Sequence, residues 1–205
     1  IDTFALTLTN MRYEEVISYC LFGSKKHLLA NLFQNRRMPF YHFGDTIFLK
    51  PISTNDWIPF ICGKFAEKGK KISEELVCKI CTTVASHSSY VQQLAWNIMV
   101  NTETEVTDEI FQQSISELLA QCSPLFIQQI QGLTTYQMNL IRCLCQGVRK
   151  DFTSKDVLET YQLGSKSNIS RLKKTLVEKE IIEEEGDTIT LADPIFELWF
   201  KREYM

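Results

Sequence analysis

Gly23, Ser24, Lys25, Lys26 and His27 are the residues whose order first points to chemistry. The β-rich run Tyr19, Cys20, Leu21, Phe22 precedes them, and Leu28, Leu29, Leu32 and Phe33 follow at helical spacing. A strand that turns through Gly-Ser into a helix offers free backbone N–H groups and a positive helix end, which is how many phosphate sites are built. The stretch GKFAEKGKK, 63–71, has a similar look. A phosphate-cradling loop needs G-x-x-x-x-G-K followed by Ser or Thr. Here Gly63 and Gly69 are one residue too far apart, and Lys71 stands where the magnesium-binding hydroxyl belongs. The segment also ends an amphipathic helix, so it is not a phosphate loop.

Metal and redox chemistry find little support. The seven cysteines are Cys20, Cys62, Cys78, Cys81, Cys122, Cys143 and Cys145. An odd number, mostly within apolar helical patterns, reads as reduced thiols of a cytoplasmic protein. Cys78 and Cys81 share a helix face, but a zinc site needs a second ligand pair at suitable spacing. Only Cys62 and His87 are conceivable additions, and neither completes a familiar pattern, so no metal is expected. His27, His42 and His87 form no triad with a nucleophile and an acid. Asp45 and Asp56 have no partner at a recognisable spacing, so hydrolase chemistry built within this sequence has no support.

The other chemical candidate is cationic. Lys166, Arg171, Lys173 and Lys174 share a helix with Ser167, Asn168 and Ser170. Such a set could meet phosphates and base edges, with Lys166, Ser170, Arg171 and Lys174 as the nucleic-acid residues. Against that, residues 133–205 hold 11 Lys/Arg and 12 Asp/Glu, and Glu183, Glu184 and Glu185 fall where a DNA binder wants cations.

Several elements must position these groups. Strands are expected at 1–9, at about 12–22 and at Thr46–Leu49, where Pro51 ends the last. Helices follow: one from Thr54 to Gly69, one starting at Ser73, one over 88–101, one capped by Thr107, and a short one started by Ser123 and Pro124. After residue 133 come a helix ending at Gly147, a short helix capped by Thr153, and a longer one with the core stripe Ile169, Leu172, Leu176. A turn at Gly186-Asp187 then leads into the strand Thr188–Leu191. Three helices followed by a hairpin make a winged helix-turn-helix.

Bulk properties bound the rest. The 205 residues carry net charge -3, 44% hydrophobic and 23% charged residues. That suits a globular protein and argues against general attraction to nucleic acid. No apolar run approaches the ~18 residues of a membrane span, so no membrane partner is expected. The chain starts at Ile1 without an initiator Met and reads as a fragment, so missing N-terminal signals prove nothing.

Taken in order, the segments resemble the prokaryotic AAA-like P-loop ATPases, the archaeal-type ATPases related to the STAND group. The matching pieces are Phe22–His27 with Leu28 and Phe33, MPFYHFGDTIFLKPI, WIPFICGKF with GKKI, HSSYVQQLAW, SKSNISRLKKTLVEKEII and LADPIFELWF. They run collinearly from about residue 13 to 205. The resemblance implies a mainly α chain with a partial α/β ATPase core over 1–52, a helical lid over 53–132 and a winged helix over 133–205. It implies that Ser24 is the first sensor, a strand-end hydroxyl facing the γ-phosphate and attacking water. It sets Arg36 and Arg37 where such ATPases carry a finger that reaches a neighbour's nucleotide. It sets His87 and Tyr90 at the lid turn that approaches adenine, with Ser88 where the family has Pro.

The implied parent binds ATP and Mg2+ and acts as a nucleotide-driven switch, with the winged helix as a regulatory or interaction module and a protein client or oligomer as partner. The sequence departs from the family in having neither the phosphate loop nor an apolar strand ending in Asp-Glu, so the chain as given is expected to be inactive. Two alternatives stand beside this one. The first is a winged-helix DNA-binding regulator with a helical sensing domain. The second is a protein-interaction module of a defence or toxin–antitoxin system.

Overall fold

The computed structural model describes residues 33, 35–38, 40–41, 45, 47 and 49–205. The chain divides into two compact units, Ile1–Lys50 and Pro51–Met205. The expected strands at 1–9 and 12–22 and the Ser24 turn lie outside the described residues. Of the expected strand Thr46–Leu49, Ile47 and Leu49 are exposed, irregular backbone, while Thr46 and Phe48 lie outside the described residues. In the first unit, Met38 N–H donates to the Asn35 carbonyl (2.9 Å) and Tyr41 N–H to the Met38 carbonyl (3.1 Å).

The second unit is mainly α-helical. It contains α1 (Thr54–Glu67), α2 (Glu74–Thr83), α3 (Ser88–Asn101), α4 (Asp108–Ile130), α5 (Thr135–Cys145), α6 (Lys155–Thr160), α7 (Lys166–Glu178), the strands β1 (Ile182–Glu185) and β2 (Thr188–Leu191), and α8 (Pro194–Tyr204). Most helix starts follow from capping chemistry. Ser73, Thr107 and Ser154 accept the backbone N–H three residues on. Thr134 and Gln137 form a reciprocal capping box. Two caps differ by one residue from expectation. Ser53 rather than Thr54 caps α1, and Ser154 rather than Thr153 caps α6. In each case the neighbouring hydroxyl residue is the one whose oxygen meets the third N–H.

The larger difference is α4. The sequence signals one helix capped by Thr107 and another beginning at Ser123-Pro124, yet a single helix of 23 residues runs through both. Pro124 has no N–H for the carbonyl one turn back, and an interior proline costs about 3 kcal/mol. Tertiary packing offsets this. Phe126 is buried against Phe196 and Trp199, each with ring centroids at 5.4 Å, and Trp199 Nε1 donates to Ser123 Oγ at 3.0 Å. Both anchors lie on α8, whose start at Asp193-Pro194 carries an N-cap aspartate and an N1 proline.

α1 packs on α2, α2 on α3, α3 on α4 and α4 on α8, while α5, α7, α8 and the hairpin surround one another. The buried side chains form one continuous cluster, from Trp57 and Phe65 through Phe111 and Phe126 to Leu172 and Phe200. β1 and β2 pair antiparallel with Ile182 opposite Leu191 and Glu185 opposite Thr188. Their two-residue turn starts at Gly186, whose φ of 60° is a left-handed conformation that glycine adopts at little cost. Ile182 and Ile189 enter the core, while Glu183, Glu184 and Glu185 stay exposed. Among the described residues, no helix is long and apolar enough to cross a membrane.

Candidate functional site

His87 and Tyr90 come together at the start of α3. The preceding turn holds Ala85 and Ser86 at φ 48° and 54°, and Ser86 N–H returns to the Cys81 carbonyl at 2.7 Å. That closure ends α2 and aims the chain into α3. The His87 ring is exposed and lies 4.8 Å from the Tyr90 ring, tilted by 42°. The Tyr90 hydroxyl is turned away from solvent and donates to Asp193 Oδ2 at 2.5 Å. The other oxygen of Asp193 accepts Ile195 N–H at 2.7 Å and Phe196 N–H at 3.1 Å, capping α8. Burial, together with the hydrogen bond and negative charge of Asp193, pushes the Tyr90 phenol well above its ordinary range. It therefore remains a donor at any physiological pH. Cys122 on α4 adjoins this cluster, and burial and Asp193 raise its thiol.

Asp193 is a residue that charge and spacing arguments passed over. Its signal was local: an aspartate directly before a proline and an apolar run is a helix start. The bond to Tyr90, 103 positions earlier, had no signal in the sequence.

The second candidate face is α7. Lys166, Ser170, Arg171 and Lys174 all lie on its exposed side, while Ile169, Leu172 and Leu176 are buried. Arg171 Nη2 donates to Asn168 Oδ1 at 3.0 Å, and Lys174 lies 3.9 Å from Glu178 in a solvent-exposed pair. Such exposed pairs hold a cation only weakly. Lys173 is different. It turns to the wing, 3.8 Å from Glu184 and 5.2 Å from the Phe152 ring centre. At the start of α7, Gly164 (φ 80°) brings the backbone under the half-exposed Tyr136, and a Cβ there would lie 3.3 Å from its ring. A cleft of about 430 Å³ opens between Tyr136, Gly164, Ser165, Ser167, Asn168 and Arg171. The wing beside this basic face carries Glu183, Glu184, Glu185 and Asp187.

Arg36 and Arg37 are exposed in the turn of the first unit, where Arg36 Nε donates to the Tyr41 hydroxyl at 3.4 Å. Ser24, His27 and His42 lie outside the described residues. Asp56 accepts from Ser53 Oγ at 2.6 Å at the start of α1, and Asp45 is exposed. Cys81, Cys143 and Cys145 are buried, and desolvation pushes the last two thiols up to about 12. Among the described residues, no three His, Cys, Asp or Glu side chains are grouped to hold a metal.

Comparison with known proteins bears on the fold. Residues 124–202 match the family described as "Probable winged helix domain". No curated protein matches the chain. Among solved structures it is similar to a Walker-type ATPase of Pyrococcus abyssi, at 16% sequence identity and a TM-score of 0.62. The match covers 87% of this chain and 51% of that one, so the chain spans about half the length of the solved ATPase. The chain is thus mainly α, carries a winged helix, and shares its fold with part of a Walker-type ATPase.

Proposed function

We propose that the chain is the C-terminal portion of an AAA-like P-loop ATPase, with part of its core, its lid and its winged helix, and serves as its nucleotide-driven switch. The observation that supports this best is the Tyr90–Asp193 bond. It joins the turn assigned to the adenine side of the lid directly to the cap of the last helix. Nucleotide that displaces His87 and Tyr90 would bear on α8 with no flexible loop between. α4 gives a second route, since it packs on α3 and presents Ser123 and Phe126 to Trp199. A ligand moves such a system only by its differential affinity for the two states, so ATP and ADP must contact the turn differently. In this reading ATP and Mg2+ are held by residues outside those described, Ser24 senses the γ-phosphate, and Arg36 and Arg37 reach a neighbour's nucleotide within an oligomer. The protein works in the cytoplasm on a protein client.

The test starts with the coding sequence ahead of Ile1 and between Asn10 and Met11, where a G-x-x-x-x-G-K-[ST] segment is expected. Hydrogen exchange on the whole encoded protein should then change at residues 87–90 and 193–200 together between ATP and ADP. Absence of the segment, or exchange indifferent to nucleotide, refutes the reading.

A second reading, a DNA-binding regulator, is favoured by the shared exposed face of Lys166, Ser170, Arg171 and Lys174. The acidic wing opposes it, since backbone phosphates favour cations there. A salt-dependent gel shift lost in Arg171→Ala and Lys174→Ala would select this reading.

A further inference from the structure

We infer that the groove between α1 and α3 docks an acidic amphipathic helix of a partner protein. The inference is independent of nucleotide binding. The groove encloses about 450 Å³. Its floor is Trp57, Ile61, Phe65 and Ala95, all buried. Its lips are Phe60 and Trp96, which stand 51% and 61% exposed. Side chains this large and apolar, left in water on facing walls of one concavity, mark a binding surface better than scattered surface apolars do.

The charge of its margin specifies the occupant. The α1 rim carries Lys64, Glu67 and Lys68, while the α3 rim carries the neutral Gln92 and Gln93. Lys64 is paired with Glu67 at 2.9 Å, and Lys68 has no ion pair among the described residues. The margin is therefore net positive, and an occupant with acidic flanks complements it. An apolar trough with a basic edge is the counterpart of a helix with apolar residues at i, i+3 or i+4, and i+7 and acids beside them.

The walls are fixed in advance. Lys70 Nζ donates to the Met99 carbonyl at 2.7 Å, tying the exit of α1 to the end of α3. Lys71 N–H meets the Thr104 carbonyl at 2.8 Å, and Val106 N–H meets the Lys71 carbonyl at 3.0 Å. Phe60 also packs edge-on against Trp57 with centroids at 5.8 Å. Little of the receptor needs ordering when the peptide arrives.

The experiment is selection of random peptides of about 16 residues, a helix of about 24 Å, displayed on phage against the intact chain. Counter-selection uses a Phe60→Ala/Trp96→Ala variant, whose fold is checked by circular dichroism and melting. Enriched peptides should be amphipathic and net acidic. The best of them, made synthetically, should shift the tryptophan fluorescence and bind roughly tenfold more weakly to Lys64→Glu/Lys68→Glu. No enrichment over the counter-selected pool, neutral or basic winners, or indifference to the lysine reversals would overturn the inference. So would a concentration-dependent dimer in sedimentation that Phe60→Ala/Trp96→Ala abolishes, which would make the groove a contact between copies of this chain.

Discussion

Replacing Tyr90 by Phe removes one oxygen and leaves the ring against His87. The lost bond is a 2.5 Å donation to a half-buried carboxylate. A hydrogen bond to a charged group contributes about 1.5–3 kcal/mol. Asp193 keeps the Ile195 and Phe196 N–H groups on its other oxygen, so it is not stranded and the lower half of that range applies. The expected cost is about 2 kcal/mol, or about 4–8 °C in Tm for a unit of this size. Urea denaturation measures it, and a double-mutant cycle with Asp193→Ala isolates the pair, because the capping lost with Asp193 cancels. Coupling of about 1.5 kcal/mol is expected, and a value under about 0.5 kcal/mol would refute the argument. The pH dependence gives a second check. The folded phenol is raised above the ordinary tyrosine value of about 10, first by burial and then by Asp193. The stability it contributes is complete below about pH 10 and is lost as pH rises toward the raised folded value. The gap between wild type and Tyr90→Phe should therefore be constant from pH 7 to 9 and narrow above about 10.

Arg149 binds the Leu144 carbonyl at the end of α5 and reaches Glu197 on α8 at 3.5 Å, while its own carbonyl accepts Ile189 N–H at 3.0 Å. Arg149→Ala should cost about 1.5–2 kcal/mol in urea denaturation, most of it from the carbonyl bond rather than the part-exposed ion pair. Pro124→Ala should stabilise by about 2 kcal/mol, the interior proline penalty less its benefit in restricting the unfolded chain, and a lower Tm would show that α4 needs its break. Cys143 and Cys145, raised to about 12 by burial, should resist thiol reagents at pH 8 in the native state and react on unfolding, whereas the half-buried Cys62 and Cys78 react before them.

Where the sequence spoke through local chemistry, the fold was legible. Ser73, Thr107 and the Gly186-Asp187 turn sit where their hydrogen bonds and φ values require, and the order of three helices and a hairpin identified the winged helix. Ser123-Pro124 misled because a proline at the first helical position and a proline inside a helix look alike locally; Phe126 and Trp199, 73 positions apart, decide between them. The candidate site was legible in part. The α7 cations could be named from their types and order, and His87 and Tyr90 only through the family resemblance. That Tyr90 is joined to Asp193, and that Lys173 is engaged by the wing while Lys174 is not, depends on contacts between distant segments. The exposure of Phe60 and Trp96 was equally hidden, since an apolar stripe read along one helix does not reveal whether its neighbour covers it.

The unbroken α4 also bears on how this winged helix can be inherited or transplanted. The match to the winged-helix family begins at residue 124, in the second half of a helix that started at Asp108. A graft cut at that boundary would leave Phe126 on about two helical turns and take Ser123 away from the Trp199 indole. What moves as a stable piece must therefore include α4 whole, so recombination at the family border yields a module short of its own foundation.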